Sequence, residues 1–474
     1  MAGTTPGWAA LQGAIGGEVV LPGSAAYERL HTPFNARFDP VRPQAVVLCA
    51  TPEDVAETIS FARRHGLETA TRSGGHCFAG RSLSLGVVID VTPADSVSVS
   101  GGVVTVGAGT RLGGLYQALR AHDVTVPAGS CPSVGIAGLT LGGGLGILGR
   151  RYGLTADRLV AAQVVVADGR RIECDEQHDA ELFWALRGGG AGQFGVVTAL
   201  VFRPCPAPAA THFRLAWPYP HAAAVIAAWQ EWAPTGPDAL AASLVVAAPA
   251  EADRPPVVVV FGVLLGSESD ATGLLDPVVA RVGAAPASTF VEHLSYWETL
   301  ERWARLDHTS DDPAGVAPPG QVAPRGYHVI KSEFFARPLP ADAIAALLGN
   351  LTNRRVHGQA RELDFSPWGG AYNRVPADAT AFDHRDQLYW LKHAVVVDPA
   401  ASAAAKQAAH QWANRSWASV HRWGSGRVFP NFADPDLDGW ADAYYGGNLD
   451  RLRRVKARYD PGNDFRFHQS MPVR

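Results

Sequence analysis

The chain has 474 residues, 47% of them hydrophobic and 18% charged, a balance that excludes intrinsic disorder and allows two or three packed units. A formal net charge of −4 and a pI near 6.5 remove the electrostatic case for nucleic acid or an anionic membrane surface as a partner. The five cysteines, Cys49, Cys77, Cys131, Cys174 and Cys205, form no C-x-x-C pair, so no metal site is expected, and their odd number leaves at least one free thiol.

In chain order, residues 1–40 read as an N-terminal leader, a short helix followed by a loop. Its opening, MAGTTPGWAALQGAIGGEVVLPG, has neither a basic n-region nor a long apolar run, so it does not read as a signal peptide. No stretch of the chain reaches the length of a membrane span, and the expectation is a cytoplasmic protein. From residue 41 strands and helices mix. AVVLCA (45–50) is a compact apolar strand. TPEDVAETISFARRHG reads as a helix: Thr51 caps it, Pro52 suits its first turn, Val55, Ile59 and Ala62 share a face, and Gly66 ends it. GVVIDV (86–91) and GVVTVGAG (102–109) are strands, and RLGGLYQALRAH (111–122) is a helix. QVVVADGRRIEC (163–174) is a hairpin about Asp168-Gly169, and DAELFWALRG is another short helix. The mixture runs to the Pro/Ala-rich RPCPAPAA (203–210), which places a domain boundary near residue 207.

Residues 208–428 read as a separate α+β unit built on an antiparallel sheet flanked by helices. Its strand candidates are SLVVAA, PPVVVVFGVLL, YHVIKSEFF, ARELDFSPW and QLYWLKHAVVV, with alanine-rich helices such as PHAAAVIAAWQEWA between them. Most of the 13 tryptophans fall here, mainly as core. In the tail, 429–474, NLDRLRRVKARYD is an amphipathic helix with Leu449, Leu452, Val455 and Tyr459 along one stripe, closed by DPGNDF.

Two glycine-rich stretches carry chemistry. GAGQFG (190–195) fits G-x-G-x-x-G letter for letter, but a helix precedes it and the strand-like VVTALVF follows, the reverse of the dinucleotide-binding context. It reads as a tight turn beside a flat ligand. In GSCPSVGIAGLTLGGGLG (129–146), glycine at 129, 135, 138, 142, 143, 144 and 146 argues against a stable helix and suits backbone N–H groups held against phosphates. Ile136, Leu139, Leu141, Leu145 and Ile147 argue that the segment is buried.

TRSGGHCFAGRS, GSCPSVGIAGLTLGGGLGILGRRYGLTADRL and YYGGNLDRLRRVKARYDPGNDFRFHQS together resemble the FAD-linked oxidases of the vanillyl-alcohol-oxidase superfamily, in the berberine-bridge-enzyme-like group. The resemblance implies an α+β, two-domain PCMH-type fold, with an FAD-binding domain over 41–207, a substrate domain over 208–428 and a C-terminal segment, 429–474, that returns to the FAD domain. It also implies FAD bonded covalently through its 8α carbon to His76 and through ring carbon C6 to Cys131. Thr71, Arg72, Ser73, Gly74 and Gly75, together with Gly129, Val134, Gly135, Gly138, Leu139, Thr140, Gly142, Gly143, Gly144 and Gly146, would hold the pyrophosphate and the ring. Gly195, Val197 and the tail residue Asn431 would lie against the cofactor. The chemistry is coherent: a neutral imidazole is the nucleophile at the 8α position, and a thiolate is the nucleophile at C6. Gly74 and Gly75 let the backbone approach the ring, while Cys77 packs into the wall.

The implied activity is hydride transfer from a bulky alcohol, phenol or amine-bearing natural product to FAD, which molecular oxygen reoxidises with release of hydrogen peroxide. Val134 falls where oxygen-reactive members carry a small residue, which favours oxidase over dehydrogenase. A sugar-lactol or oligosaccharide oxidase is the alternative, and a flavin-holding protein without catalysis is the third reading. Two hydroxyls common in the family are missing: the tail motif has Phe432 for tyrosine, and Trp368 stands before the glycine pair of SPWGG. Both are expected to line the flavin without acting as bases. Strand periodicity offers substitutes, because Glu362, Asp364, Ser366 and Trp368 share a face, as do Gln387, Tyr389 and His393. Asp364 or Tyr389 is therefore the candidate base that takes the substrate's proton.

Overall fold

The computed structural model describes residues 6–306, 308 and 325–473. A four-stranded sheet begins the chain, in the order Glu18–Val20, Ala45–Leu48, Val87–Asp90, Thr69–Arg72. Its last three strands run parallel, and Val87–Asp90 is buried throughout, as apolar strands covered on both faces must be. The helix Pro52–Arg64 joins Ala45–Leu48 to this layer. Its start is closed by a reciprocal cap in which Thr51 Oγ1 accepts from the Asp54 amide and the Asp54 carboxylate accepts from the Thr51 amide. The first 40 residues are not a separate leader. Glu18–Val20 pairs antiparallel with Ala45–Leu48, which makes the segment an edge of the first sheet.

An antiparallel five-stranded sheet follows, in the order Val97–Ser100, Val103–Gly107, Val196–Phe202, Leu159–Val165, Arg171–Asp175. The hairpin turns at Gly169, which takes φ +87°. The run 190–195 joins the helix Ala180–Leu186 to the strand Val196–Phe202, the context that excludes a dinucleotide fingerprint. The glycine-rich stretch departs from expectation in one respect: it contains a helix, Ile136–Leu141. Ile136, Ala137, Thr140 and Leu141 are buried, so tertiary packing supplies what glycine-poor propensity would otherwise have to.

The chain crosses at 203–210 into a seven-stranded antiparallel sheet. The order is Ser288–Leu294, Ala210–Pro218, Val257–Leu264, Leu240–Ala248, Gln359–Pro367, Tyr389–Val397, Tyr327–Phe335. One face carries Phe213, Leu215, Leu244, Val260, Leu363, Phe365 and Leu391, and packs under the helices Ala222–Trp232, Glu268–Val282, Ala341–Thr352 and Ala403–Ala418. The opposite face turns toward the first domain. Buried polar pairs join the two: Arg385 makes two charge-assisted bonds to Asp157, at 2.7 and 2.9 Å, and Arg150 donates to the carbonyls of Pro234, Gly236 and Trp368. The helix Leu449–Tyr459 then returns to the first core through Leu452, Val455 and Tyr459. Fully buried Lys456 is held by Asp460 and by the Gln193 and Phe465 carbonyls, which explains why DPGNDF closes the helix as it does. No helix among the described residues is long and apolar enough to cross a membrane.

Candidate active site

The strand Thr69–Arg72 delivers Arg72 to a buried ion pair with Asp90 at 2.7 Å and starts the loop Ser73–His76. Ser73 Oγ donates to the Ala108 carbonyl at 2.7 Å. Gly74 lies against Gly135 so closely that a Cβ on Gly74 would collide with the Gly135 amide nitrogen, and one on Gly135 with Ser73 Oγ. The two glycine loops are thus interlocked backbone to backbone. Asn431, from the tail, donates to the Leu139 carbonyl at 2.8 Å and occupies the space a side chain at Gly142 would need. Gly143 is crowded by Phe382, Gly144 by Thr155 and Gly146 by the Ala128 backbone, so these three glycines serve packing of the loop itself. Thr140 lies inside the helix Ile136–Leu141, its hydroxyl donating to the Ile136 carbonyl. Gly192 approaches Thr71 Oγ1, and Gly195 lies against the Val165 backbone. Val197 is buried in the first core, and the Gly129 carbonyl accepts from Tyr116.

An FAD molecule fits this cradle on two observations. Gly138 has nothing within 4 Å of where its Cβ would lie, so its missing side chain leaves room on the helix Ile136–Leu141. Two buried groups bordering the interlocked loops, Arg72 Nη2 and Thr110 Oγ1, have no hydrogen-bond partner among the described residues, as donors kept for an anionic ligand would be.

His76 and Cys131 are brought together. Ser133 Oγ is 3.0 Å from His76 Nε2 and 3.4 Å from Cys131 Sγ, so one hydroxyl touches both. Burial, reinforced by the Arg111 charge, pushes the His76 pKa down to about 4, and the imidazole is neutral at pH 7. Cys131 is exposed, whereas Cys49, Cys174 and Cys205 are buried with thiols pushed up to about 12 by that burial. Cys77 is half-buried. The leader segment contributes a residue that sequence reasoning missed: Phe34 stacks on His76 at 4.5 Å and on His328 at 4.9 Å. Asn35 fixes that stack by bonding both the amide and the carbonyl of His328.

On the substrate side, the sheet face turned toward the first domain presents Asp364 beside Lys392. Lys392 Nζ is 2.8 Å from Asp364 and 3.1 Å from Glu362, and it lies 5.8 Å over the Phe432 ring and 6.0 Å over the Trp390 ring. Burial works against the Lys392 charge, but Asp364 and Glu362 outweigh it and raise its pKa, so the ammonium persists. Burial likewise works against the Glu362 charge, and Lys392 together with His308 and His328 outweighs it, leaving that carboxyl below its ordinary value. Phe432 stacks on Phe78 at 5.4 Å and lies tilted at 45° to Trp390 at 4.4 Å. Between this face and the glycine loop is a cavity of about 170 Å³, bounded by Gly129, Leu145, Ser243, Ser366 and Trp303 among others.

Two expectations fail. Tyr389 points to the helix-covered face, stacked on Phe335 at 5.2 Å and edge-on to Trp229. Burial raises its hydroxyl pKa, which further disfavours it as a base. Trp368 is fully buried behind the site, stacked on Tyr372 at 4.5 Å, with its indole N–H donated to the His384 carbonyl. The strand ends at Pro367, and Gly369 takes φ +83°, so the pleat that aligned Trp368 with Asp364 no longer applies. Lys392 went unassigned, although a lysine inside the apolar run QLYWLKHAVVV, in a chain that otherwise prefers arginine, was a signal.

Residues 43–175 match the FAD binding domain family, and residues 428–472 match the berberine and berberine-like family. An uncharacterised FAD-linked oxidoreductase of Bacillus subtilis, YgaK, is 31% identical over 469 residues, covering 96% of this chain and 97% of the relative. The chain belongs to the berberine-bridge-enzyme-like FAD-linked oxidoreductases. The solved structure of BBE-like 1 from Physcomitrella patens superposes with a TM-score of 0.88 at 27% identity, covering 99% of this chain and 100% of that one. Glucooligosaccharide oxidase from Acremonium strictum, described with a 6-S-cysteinyl, 8α-N1-histidyl FAD, shares the fold at 24% identity, a TM-score of 0.85 and coverage of 98% and 99%. This berberine-bridge-like oxidoreductase therefore has the α+β PCMH-type architecture and binds FAD.

Proposed function

We propose that the enzyme holds FAD through both His76 and Cys131 and oxidises a bulky alcohol, phenol or amine-bearing natural product, with molecular oxygen as the acceptor. The observation that carries this reading is the Asp364–Lys392 pair, with Lys392 over the Phe432 ring, on the sheet face whose Ser366 lines the cavity that reaches the glycine loop at Gly129 and Leu145. FAD, when bound, supplies the hydride acceptor. Asp364 accepts the hydroxyl or ammonium proton of the substrate, one Oδ being held by Lys392 and the other left to the substrate. Lys392 keeps its own proton, so it orients the carboxylate and offsets the charge of Glu362. Phe432 and Trp390 form an apolar wall that excludes water from the reacting bond and accepts a flat or bulky skeleton. Val134 follows the attachment loop and is half-buried against the first core. It is the candidate that leaves an approach open for oxygen.

A second reading, oxidation of an oligosaccharide at its lactol carbon, is supported by the two carboxylates, Glu362 and Asp364, which a polyhydroxylated ligand could bond. Phe432, where a tyrosine hydroxyl would help, counts against it. The test has two parts. Acid precipitation of the purified protein should leave the yellow colour with the polypeptide, and peptide mass spectrometry should place it on fragments containing His76 and Cys131. A peroxide assay across aromatic alcohols, amines and oligosaccharides should then respond to the first classes. Colour released to the supernatant, or turnover of oligosaccharides alone, would overturn the corresponding part.

A further inference from the structure

We infer that the Ser133 hydroxyl positions both flavin anchors, accepting the Nε2–H of His76 and turning its own proton toward Cys131 Sγ. The inference rests on the bicovalent reading above and adds a third residue that prepares the two attachments. Ser133 Oγ is within hydrogen-bond distance of both nucleophiles, at 3.0 and 3.4 Å. A hydroxyl has one proton to give and lone pairs to receive, so the direction of the chain matters. With His76 donating, its Nδ1 carries the bare lone pair that a nucleophile needs, and the Ser133 proton faces a sulfur in the thiolate form that reacts. The opposite direction protonates Nδ1 and leaves a thiol, which disables both anchors at once.

The surroundings hold this geometry. The Pro132 carbonyl accepts from the Gly113 amide at 2.9 Å, and the Val134 carbonyl accepts from the Leu112 amide at 2.9 Å, so residues 132–134 are clamped to the first turn of the helix Leu112–Arg120. Next to them, Gly135 locks against Ser73 and Gly74, which fixes the distance to the loop that bears His76. Phe34 stacks on the imidazole at an interplanar angle of 21°, which restrains the ring plane without touching Nε2 chemistry. The neutral state that burial imposes on His76 agrees with this arrangement.

Each attachment balances in the same way. At His76 an N–H bond and an 8α C–H bond break and an N–C bond forms; at Cys131 the thiol has already released its proton to solvent, the C6–H bond breaks and an S–C bond forms. The two electrons left on the flavin each time pass, with two protons, to dioxygen as hydrogen peroxide. The Nε2 proton leaves to solvent at the exposed Ser133, which keeps its own hydrogen toward Cys131.

The test compares two side chains of nearly the same shape, one with the hydroxyl and one without. Full-length wild type, Ser133→Thr and Ser133→Val are expressed under matched conditions, and their intact masses are measured after acid denaturation. Ser133→Thr should keep doubly attached flavin as the main species. Ser133→Val should show at least a tenfold smaller doubly attached fraction, with releasable FAD in its place and losses at both the His76 and the Cys131 peptides. Equal double attachment in the two variants overturns the proposal, as does a loss confined to one anchor. A Ser133→Val chain with no flavin of either kind also counts against it, because a positioning role predicts bound but unattached FAD. A wild type that carries only releasable FAD would sink the bicovalent reading itself, and this proposal with it.

Discussion

At position 364 the chemistry depends on which way a strand faces. Asp364 pairs in register with Lys392, and the two side chains meet at 2.8 Å on the face of the sheet turned toward the first domain. Tyr389 pairs with Pro367, on the opposite parity, and ends among Trp229, Phe335 and Phe365. The alternation of side chains was legible in the sequence, so the set Glu362, Asp364, Ser366 was found. Which set turns to the helices and which to the first domain was not, because period-2 parity is unchanged when a strand is turned over. Asp364→Asn should therefore slow anaerobic flavin reduction by about 100-fold, the usual scale for losing a general base, with any substrate the peroxide screen identifies. Tyr389→Phe should leave that rate within about twofold, since the buried hydroxyl takes no part in transfer. Stopped-flow bleaching of the flavin measures both, and equal effects in the two variants would contradict the assignment.

The glycine loops show how an element can override its own propensity. The helix Ile136–Leu141 is short and flanked by glycine, and in isolation it would not form. It forms because Ile136, Ala137 and Leu141 enter the first core while Asn431 ties the Leu139 carbonyl to the tail. Glycine at 74 is required for a different reason: the backbone of Gly135 occupies the place of its side chain. Gly74→Ala should force the loops apart at a cost of about 1–3 kcal/mol, as overpacking does, and carry His76 away from Ser133. The expected result is a lowered Tm and a sharp fall in bound flavin, read from the ratio of visible to ultraviolet absorbance. Gly138→Ala, which meets no protein atom, should keep the wild-type Tm of the flavin-free chain. A normal Tm and flavin content in Gly74→Ala would show that the two loops are not interlocked.

Over the whole molecule, stability is linked to pH through three imidazoles wholly or partly buried in the packing of the large sheet and its surroundings. Burial, aided by the Lys392 charge, pushes His328 down to about 4, and burial with nearby Arg427 or Lys331 pushes His384 and His393 down to about 3. In the unfolded chain each titrates near 6.5. Between these values the unfolded state binds protons that the folded state refuses, so stability is fully present above about pH 6.5 and is lost as pH falls toward 4. At pH 5 the loss is roughly 2 kcal/mol per buried imidazole. The Tm should accordingly drop by several degrees between pH 7.5 and pH 5, and an equal or higher Tm at pH 5 would refute the link.

The sequence by itself determined the local signals: the capped helix after Thr51, the hairpin at Asp168-Gly169, the misfit of 190–195 as a dinucleotide loop, and the two nucleophiles set among glycines. These depend on neighbours a few residues apart, where propensity and spacing act directly. Only the tertiary structure decided that the first 40 residues complete a sheet and place Phe34 on His76, that Trp368 packs behind the site, and that Lys392 joins Asp364 over Phe432. Apart from Trp368 on Tyr372, those contacts join segments tens of residues apart. What creates them is the sheet register and the burial of one face against helices, and no local pattern encodes either.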